Sequence, residues 1–348
     1  MIGGDYHLHT ELLLEKESIN SLYNYLNKSL KHINFFSTGR DAIFSLVHSL
    51  GIKRIWLPHF LCKTIYDPVF ATGTKILFFE QENDLSISQE SLNKIEEGDT
   101  VYIINYFGII RQSEYEKLKM KNVKIISDIC HSLINTDEVK YVFNRSHFVV
   151  MSLRKMGPFP DGAFVGSNNI NVPSPKDSIR EDFSFQRAGA MLSRFYSKVC
   201  NYISDENFKI LTKMEDMLSD TKEYGYKMTF SSKQMMKRFD IKRAYLMTKN
   251  NFTYLNNNII RKSTVKIYNE QFLSQFFVLL FNQKNDRDFI RNRLANYQIF
   301  CPIHWNMSWL TKDEGISSKL LSLHCDYRYS EYDMKFLSDS INLSMEKI

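Results

Sequence analysis

A chain of 348 residues has room for about two domains at roughly 150 residues each, and 43% hydrophobic and 24% charged residues with 13 Gly and 7 Pro exclude a disordered or collagenous chain. The 45 basic and 39 acidic residues leave a net charge of +6, spread along the sequence rather than gathered in a block, which fits a small phosphate-bearing ligand better than a nucleic acid. Five scattered cysteines with neither CxxC pairs nor zinc-ligand spacings argue against a disulfide framework and a structural metal. The strongest apolar run, Phe272 to Phe281, is interrupted by Ser274 and Gln275 and is about half the ~20 residues a membrane helix needs. Met1 to Asp5 carries no basic-then-apolar leader pattern, so the expectation is a cytoplasmic protein away from membranes.

From Asn34 to about Val165, short β-branched or aromatic runs alternate with amphipathic stretches, the pattern of βαβ units around a mainly parallel sheet. Strands are predicted at Ile33-Phe36, Arg54-Leu57, Lys75-Phe79, Val101-Ile104, Lys124-Ser127, His147-Met151 and Ala163-Val165. Helices are predicted at Asp41-Leu50, Cys62-Phe70, Gln89-Ile95 and Glu114-Lys119, the first with Ile43, Phe44, Val47 and Leu50 on one stripe. After a Pro/Asn/Ser-rich loop at 168–177, the stretch from Arg180 to about Leu255 reads as helical. The remainder reads as a smaller α/β unit: strand Phe276-Leu280, helix Asp286-Leu294, strand Ile299-Ile303 and helix Glu331-Leu343. The predicted division is a large domain over 1–235 and a small C-terminal domain over 236–348.

Three segments carry possible chemistry. Ser37-Thr38-Gly39-Arg40-Asp41-Ala42 falls where a strand ends and a helix begins, and a helix N-terminus offers unpaired N–H groups and a positive dipole end to a phosphate. The plain alternative is a Ser/Thr-capped turn. Ser127-Asp128-Ile129-Cys130-His131-Ser132 follows a strand at the carboxyl edge, where open α/β sheets bind ligands. Met151-Ser152-Leu153-Arg154-Lys155-Met156-Gly157 sets a lysine between an apolar strand and the Pro158, Pro160 and Asp161-Gly162 turn. Partial desolvation there would lower the lysine's pKa and favour a nucleophilic amine, against the plain reading of a solvated lysine.

A phosphate turn, then an aspartate, then a lysine, in this order and spacing, resembles the DegT/StrS family of nucleotide-sugar aminotransferases within the fold-type-I pyridoxal-phosphate enzymes. The resemblance extends to Gly3-Gly4-Asp5-Tyr6, Leu57-Pro58-His59-Phe60-Leu61-Cys62, Asn105-Tyr106-Phe107-Gly108, Ile303-His304-Trp305 and Asp326-Tyr327-Arg328-Tyr329. It implies a pyridoxal 5'-phosphate cofactor joined covalently to Lys155, which also shuttles the proton, with Asp128 on the pyridine nitrogen and His131 near the ring. It further implies phosphate contacts from Thr38, Gly39, Arg40 and Ser152, with Phe60 or Tyr106 against the ring face. Arg154, His304, Trp305 and Arg328 are the residues it turns toward substrate. The expected function is amino transfer from an amino acid, glutamate first, to a keto sugar, nucleotide-linked and destined for surface polysaccharide, by a homodimer without a metal. Two alternatives stand beside it. One is another pyridoxal-phosphate reaction on the same fold, such as a dehydratase, decarboxylase or aldolase. The other is a cofactor-free binding protein.

Two departures from the family pattern are legible. Ser152 precedes Lys155 by three residues where the commoner pattern has a serine five before. Gly225 stands where many relatives supply an asparagine to the partner subunit's phosphate.

Overall fold

The computed structural model describes residues 1–4, 6–8, 16–200, 209–211, 213, 223–305, 310 and 315–348. Strands β1 (His32–Phe36), β2 (Arg54–Pro58), β3 (Lys75–Phe79), β4 (Thr100–Ile104), β5 (Lys124–Asp128), β6 (Phe148–Ser152) and β7 (Ala163–Ser167) form one sheet in the order β1-β7-β6-β5-β4-β2-β3. The five strands from β6 to β3 run parallel, and β7 joins antiparallel to both β6 and β1. All seven predicted strands are present, each matching to within two residues at either end.

Helices α1 (Leu22–Ser29), α2 (Gly39–Ser49), α3 (Lys63–Phe70), α4 (Gln89–Lys94), α5 (Gln112–Met120) and α6 (Asp137–Arg145) surround the large sheet. The four helices predicted here appear as α2 to α5, while α1 and α6 were not predicted. The sheet is covered on both sides, so its strands bury successive residues on opposite faces. Val101, Ile103, Ile125, Val149 and Met151 belong to one hydrophobic cluster. Tyr102, Ile104, Ile126, Phe148 and Val150 belong to the other.

Helices α7 (Glu181–Cys200), α8 (Phe230–Arg238) and α9 (Ile241–Asn258) occupy the predicted helical stretch; residues 201–208, 212 and 214–222 of it lie outside the described residues. Strands β8 (Val265–Ile267), β9 (Phe276–Phe281) and β10 (Leu320–His324) make a second, antiparallel sheet in the order β10-β9-β8, flanked by α10 (Lys284–Asn296) and α11 (Glu331–Met345). A third core joins Phe277, Leu279, Leu321 and Leu323 to Phe252, Ile290, Leu337 and Ile341. Val278 and Leu320, facing the other way, belong to the large sheet's second cluster, so the two sheets share apolar contacts. No helix of the described residues is long and apolar enough to cross a membrane.

The predicted strand Ile299-Ile303 is not found. Ile299 makes a single parallel bridge to Ile2, with the Phe300 N–H donating to Ile2 O at 2.8 Å. Pro302 has no N–H to extend a ladder, and β10 and β8 take the two edges of β9 instead.

Gly108 marks where the large sheet's loops meet the second region. Its φ is +79°, and a Cβ there would lie 2.4 Å from Leu273 O. Gly108→Ala is therefore strained both by conformation and by space, and is expected to cost about 1–3 kcal/mol in urea unfolding. A midpoint equal to the parent's would show that the contact yields freely.

Candidate active site

Backbone register brings the two signature segments together. On β5, Asp128 pairs with Val150 of β6, so Ser152 lies just beyond it on the neighbouring strand, and a single 3-10 turn, Leu153–Lys155, carries the chain to the lysine. On the other side, the Asn105 N–H donates to Asp128 O at 2.9 Å and its Nδ2 to the same oxygen at 3.1 Å. These carboxyl ends open into a cavity of about 600 Å³ lined by Thr38, Gly39, Arg40, Asp128, His131, Ser152, Arg154, Lys155, His304, Trp305 and Arg328, among others.

The Asp128 carboxylate is buried, 4% exposed, and each oxygen has one protein donor. The Tyr102 hydroxyl donates to Oδ2 and the Cys130 N–H to Oδ1, both at 2.8 Å. Beside it, α2 begins at Gly39 with Thr38 as a reciprocal cap: the Asp41 N–H donates to Thr38 Oγ1 at 3.2 Å and the Thr38 N–H to Asp41 Oδ2 at 3.0 Å. This capping is the plain alternative entertained for the segment, and it coexists with an open first turn. A Cβ on Gly39 would stand 3.5 Å from Ser152 Cβ, so the helix start and Ser152 border one space. Asp41 Oδ1 accepts from the Gly225 and Tyr226 N–H groups at 2.8 and 3.2 Å. In this chain the Gly225 amide thus pins α2 from within the same subunit.

Lys155 remains exposed at the cavity. Desolvation acts to lower its pKa, as the sequence reading expected, but the Cys130 and Cys62 thiols and the Asp128 carboxylate outweigh it, and the pKa is raised. The expected direction is therefore corrected: the surrounding groups, Cys130 and Cys62 before Asp128, outweigh burial and favour the charged amine.

His131 is 2% exposed, its ring stacked on Phe107 at 5.2 Å and tilted against Trp305 at 5.2 Å, with Nδ1 unpaired. Burial, with His304 and Lys155 nearby, depresses its pKa far below the usual imidazole range. His304, 5.0 Å away between ring centres and 3.1 Å from Ser322 Oγ through Nδ1, is held down to about 3 by burial and by Lys155 and His324. Both imidazoles are neutral at pH 7.

Phe60 and Tyr106 stack on each other at 5.5 Å, the Tyr106 hydroxyl donating to Phe60 O, and neither lines the cavity. Trp305 packs on both and, of these three rings, is the one that lines the cavity. Phe276, at the start of β9, is half-buried and lines the wall. Arg328 is held face-on by Asp326, Nε to Oδ1 at 2.7 Å and Nη2 to Oδ2 at 2.8 Å, while Nη1 donates to Gly4 O and the Tyr6 ring lies 4.0 Å away. The pairing with Asp326 keeps that carboxyl far below its ordinary range despite burial. Arg328 thus joins the N-terminal arm to β10 while forming part of the wall. Asp5 lies outside the described residues.

Sequence reasoning missed Tyr102, Gln275, Cys62 and Arg187. Gln275 donates from Nε2 to Cys130 O at 3.0 Å and to Lys155 O at 3.2 Å, tying both signature segments to β9. Its only signal was a polar pair interrupting an apolar run. Tyr102 was likewise the one polar side chain in the predicted strand Val101-Ile104.

No family model and no curated protein matches the sequence. Solved structures do match over the whole chain. Helicobacter pylori PseC, an aminotransferase involved in the biosynthesis of pseudoaminic acid, superposes with a TM-score of 0.70 at 13% identity, covering 100% of both chains. The sugar aminotransferase Spr1654 of Streptococcus pneumoniae, solved in its PMP form and itself described as putative, gives 0.70 at 13% with the same coverage. A DegT DnrJ EryC1 StrS aminotransferase from Brucella abortus gives 0.60 at 15%, covering 97% of this chain and 90% of its own. The fold is that of the fold-type-I pyridoxal-phosphate enzymes. At such identities the likeness establishes architecture, and the chemistry has to be argued from the cavity.

The buried imidazoles make one pH signature. An unfolded chain protonates His304 near its ordinary pKa of ~6.5, whereas the folded chain resists down to about 3, so stability is lost as pH falls below ~6.5. His304→Gln is expected to remove about 1.4 kcal/mol per pH unit from the slope of unfolding free energy between pH 6 and 4.5. Identical slopes for parent and variant in urea titrations would contradict a neutral buried His304.

Proposed function

We propose that the chain is a pyridoxal-phosphate-dependent aminotransferase that moves an amino group from an amino acid, glutamate first, to a keto sugar. The observation that carries the reading is the placement of Asp128 and Lys155 at the ends of neighbouring strands on one cavity, beside a helix N-terminus that faces Ser152.

The residues fit the cofactor. A carboxylate with its two oxygens already oriented suits a protonated ring nitrogen, an amine with solvent access suits an aldehyde, and the first turn of α2 with Ser152 suits a phosphate. The cavity is large enough for the cofactor and part of a substrate. When bound, the cofactor supplies the carbon that carries nitrogen between donor and acceptor and a ring that withdraws electrons.

The chain's own groups do the rest. Asp128 would accept a hydrogen bond from the protonated ring nitrogen, and Lys155 would bind the cofactor and serve as the acid and base that moves the proton at the reacting carbon. Gly39 and Arg40 would hold the phosphate through backbone N–H groups, with Thr38 and Ser152 beside them. His131, neutral and packed between Phe107 and Trp305, positions the ring. His304, Trp305, Arg154 and Arg328 line the same cavity and would face the substrate. In this reading residues 1–235 bind the cofactor and 236–348 close over it in a cytoplasmic homodimer, and the sugar is nucleotide-linked and bound for surface polysaccharide. Lysine, rather than histidine, at position 155 favours transamination over the family's sugar dehydration.

Borohydride reduction of the cofactor-loaded protein should leave a mass adduct on Lys155; an unmodified chain in saturating cofactor would overturn the reading. Asp128→Asn should keep the fold and the adduct yet lose about 100- to 1,000-fold in turnover with a panel of keto nucleotide sugars and glutamate. Turnover within a few-fold of the parent would remove Asp128 from the mechanism.

A further inference from the structure

Tyr102 lies in the middle of β4 with no solvent exposure, and its hydroxyl meets Asp128 Oδ2 at 2.8 Å. A carboxylate only accepts, so the phenol must be the donor. Burial first, and then the Asp128 charge, raise the phenol's pKa far above 10, so it remains a donor at every working pH. The Cys130 N–H holds the other oxygen at the same distance. One donor on each oxygen fixes the plane of the carboxylate and leaves its remaining lone pairs to the cavity that Asp128 lines. A hydrogen bond to the ionised form also weakens a carboxylate as a proton acceptor.

We propose that Tyr102 is a positioning residue that sets where the proton rests between Asp128 and the ring nitrogen of the cofactor. By stabilising the Asp128 anion, it keeps that proton on the ring nitrogen rather than on the carboxylate, and by occupying Oδ2 it aims the other lone pairs at the nitrogen. This rests on the pyridoxal-phosphate reading of the site, and Tyr102 acts only through Asp128.

Tyr115 supplies a matched comparison. It is equally buried, 1% exposed, but its hydroxyl bonds Asn105 Oδ1 and Ser127 Oγ, each at 3.0 Å, and not the Asp128 carboxylate. Parent, Tyr102→Phe and Tyr115→Phe proteins are titrated with pyridoxal phosphate, and the ring nitrogen is observed by 15N NMR with labelled cofactor. Tyr102→Phe is expected to bind the cofactor about 10- to 100-fold more weakly, the range for a hydrogen bond to a charged group, and to move the 15N resonance toward that of neutral pyridine. Tyr115→Phe should keep the parent's resonance while losing comparable thermal stability. Replacement of Tyr102 by 3-fluorotyrosine, a stronger donor of nearly the same shape, should move the resonance the opposite way and serves if the phenylalanine variant does not fold. Parent-like affinity and resonance in Tyr102→Phe, or an equal displacement in Tyr115→Phe, would overturn the role of Tyr102. Failure of the parent itself to bind the cofactor would instead overturn the reading on which it rests.

Discussion

Everything in the cavity depends on how three parallel strands are aligned. Ile104 of β4 sits opposite Asp128 of β5, and Asp128 sits opposite Val150 of β6. A slip of one residue in either pair would turn Asp128 to the other face of the sheet, because side chains alternate with period two. The alignment is strongly specified, since both faces of these strands are apolar and belong to separate cores. The same alternation lets Tyr102 sit two residues before Ile104 on the face that reaches the Asp128 carboxylate. The chemistry is thus placed by the packing of Val101, Ile103, Ile125 and their opposite numbers.

The loops beyond those strand ends expose backbone groups that the large sheet leaves unpaired, and the second region answers them. Asn269 Nδ2 donates to Phe107 O, Ser274 Oγ to His131 O, and Gln275 Nε2 to Cys130 O and Lys155 O. Buried carbonyls without partners are costly, so these side chains fix the loop conformations as firmly as a ladder would. The carbonyl of Lys155 itself is among them. The segment before β9 therefore completes the site as well as walling it, which explains why the Asp128 and Lys155 loops are ordered around an open cavity.

The parallel sheet was legible in the sequence because strands buried on both faces read as short, continuous apolar runs between turn residues. The lining of the cavity was legible wherever polar residues and strand ends coincide, as at Asp128, Lys155 and the Thr38 turn. It was opaque wherever a residue's role depends on a partner far along the chain. Gln275 lies 120 residues from Lys155, and Tyr102 lies 26 from Asp128. No local pattern marks either pair. The second sheet was only partly legible: β9 is a long apolar run, but Val265–Ile267 is three residues long, while Ile299 to Ile303 looks like a strand until Pro302 is weighed. The direction of the Lys155 shift also escaped the sequence, because desolvation was foreseeable from an apolar neighbourhood and the opposing Cys130, Cys62 and Asp128 came only with the fold.

Charge explains how such a cavity can select one orientation for an asymmetric ligand. Arg40, Arg154, Lys155, Arg187 and Arg328 line it, against Asp128 and Asp326. Asp326 is consumed by its two-pronged bond to Arg328. Among the described lining residues, this leaves Asp128 as the carboxylate not bound to an arginine, and the two imidazoles between it and the second sheet are uncharged. A ligand with a phosphate at one end and a protonated ring nitrogen at the other has one low-energy placement in such a field: nitrogen at Asp128, phosphate at the start of α2. Reversal would put the phosphate against the Asp128 carboxylate in a desolvated corner, where like charges repel most strongly. The carboxylate pinned by Tyr102 and Cys130 is therefore what gives the otherwise cationic cavity its polarity.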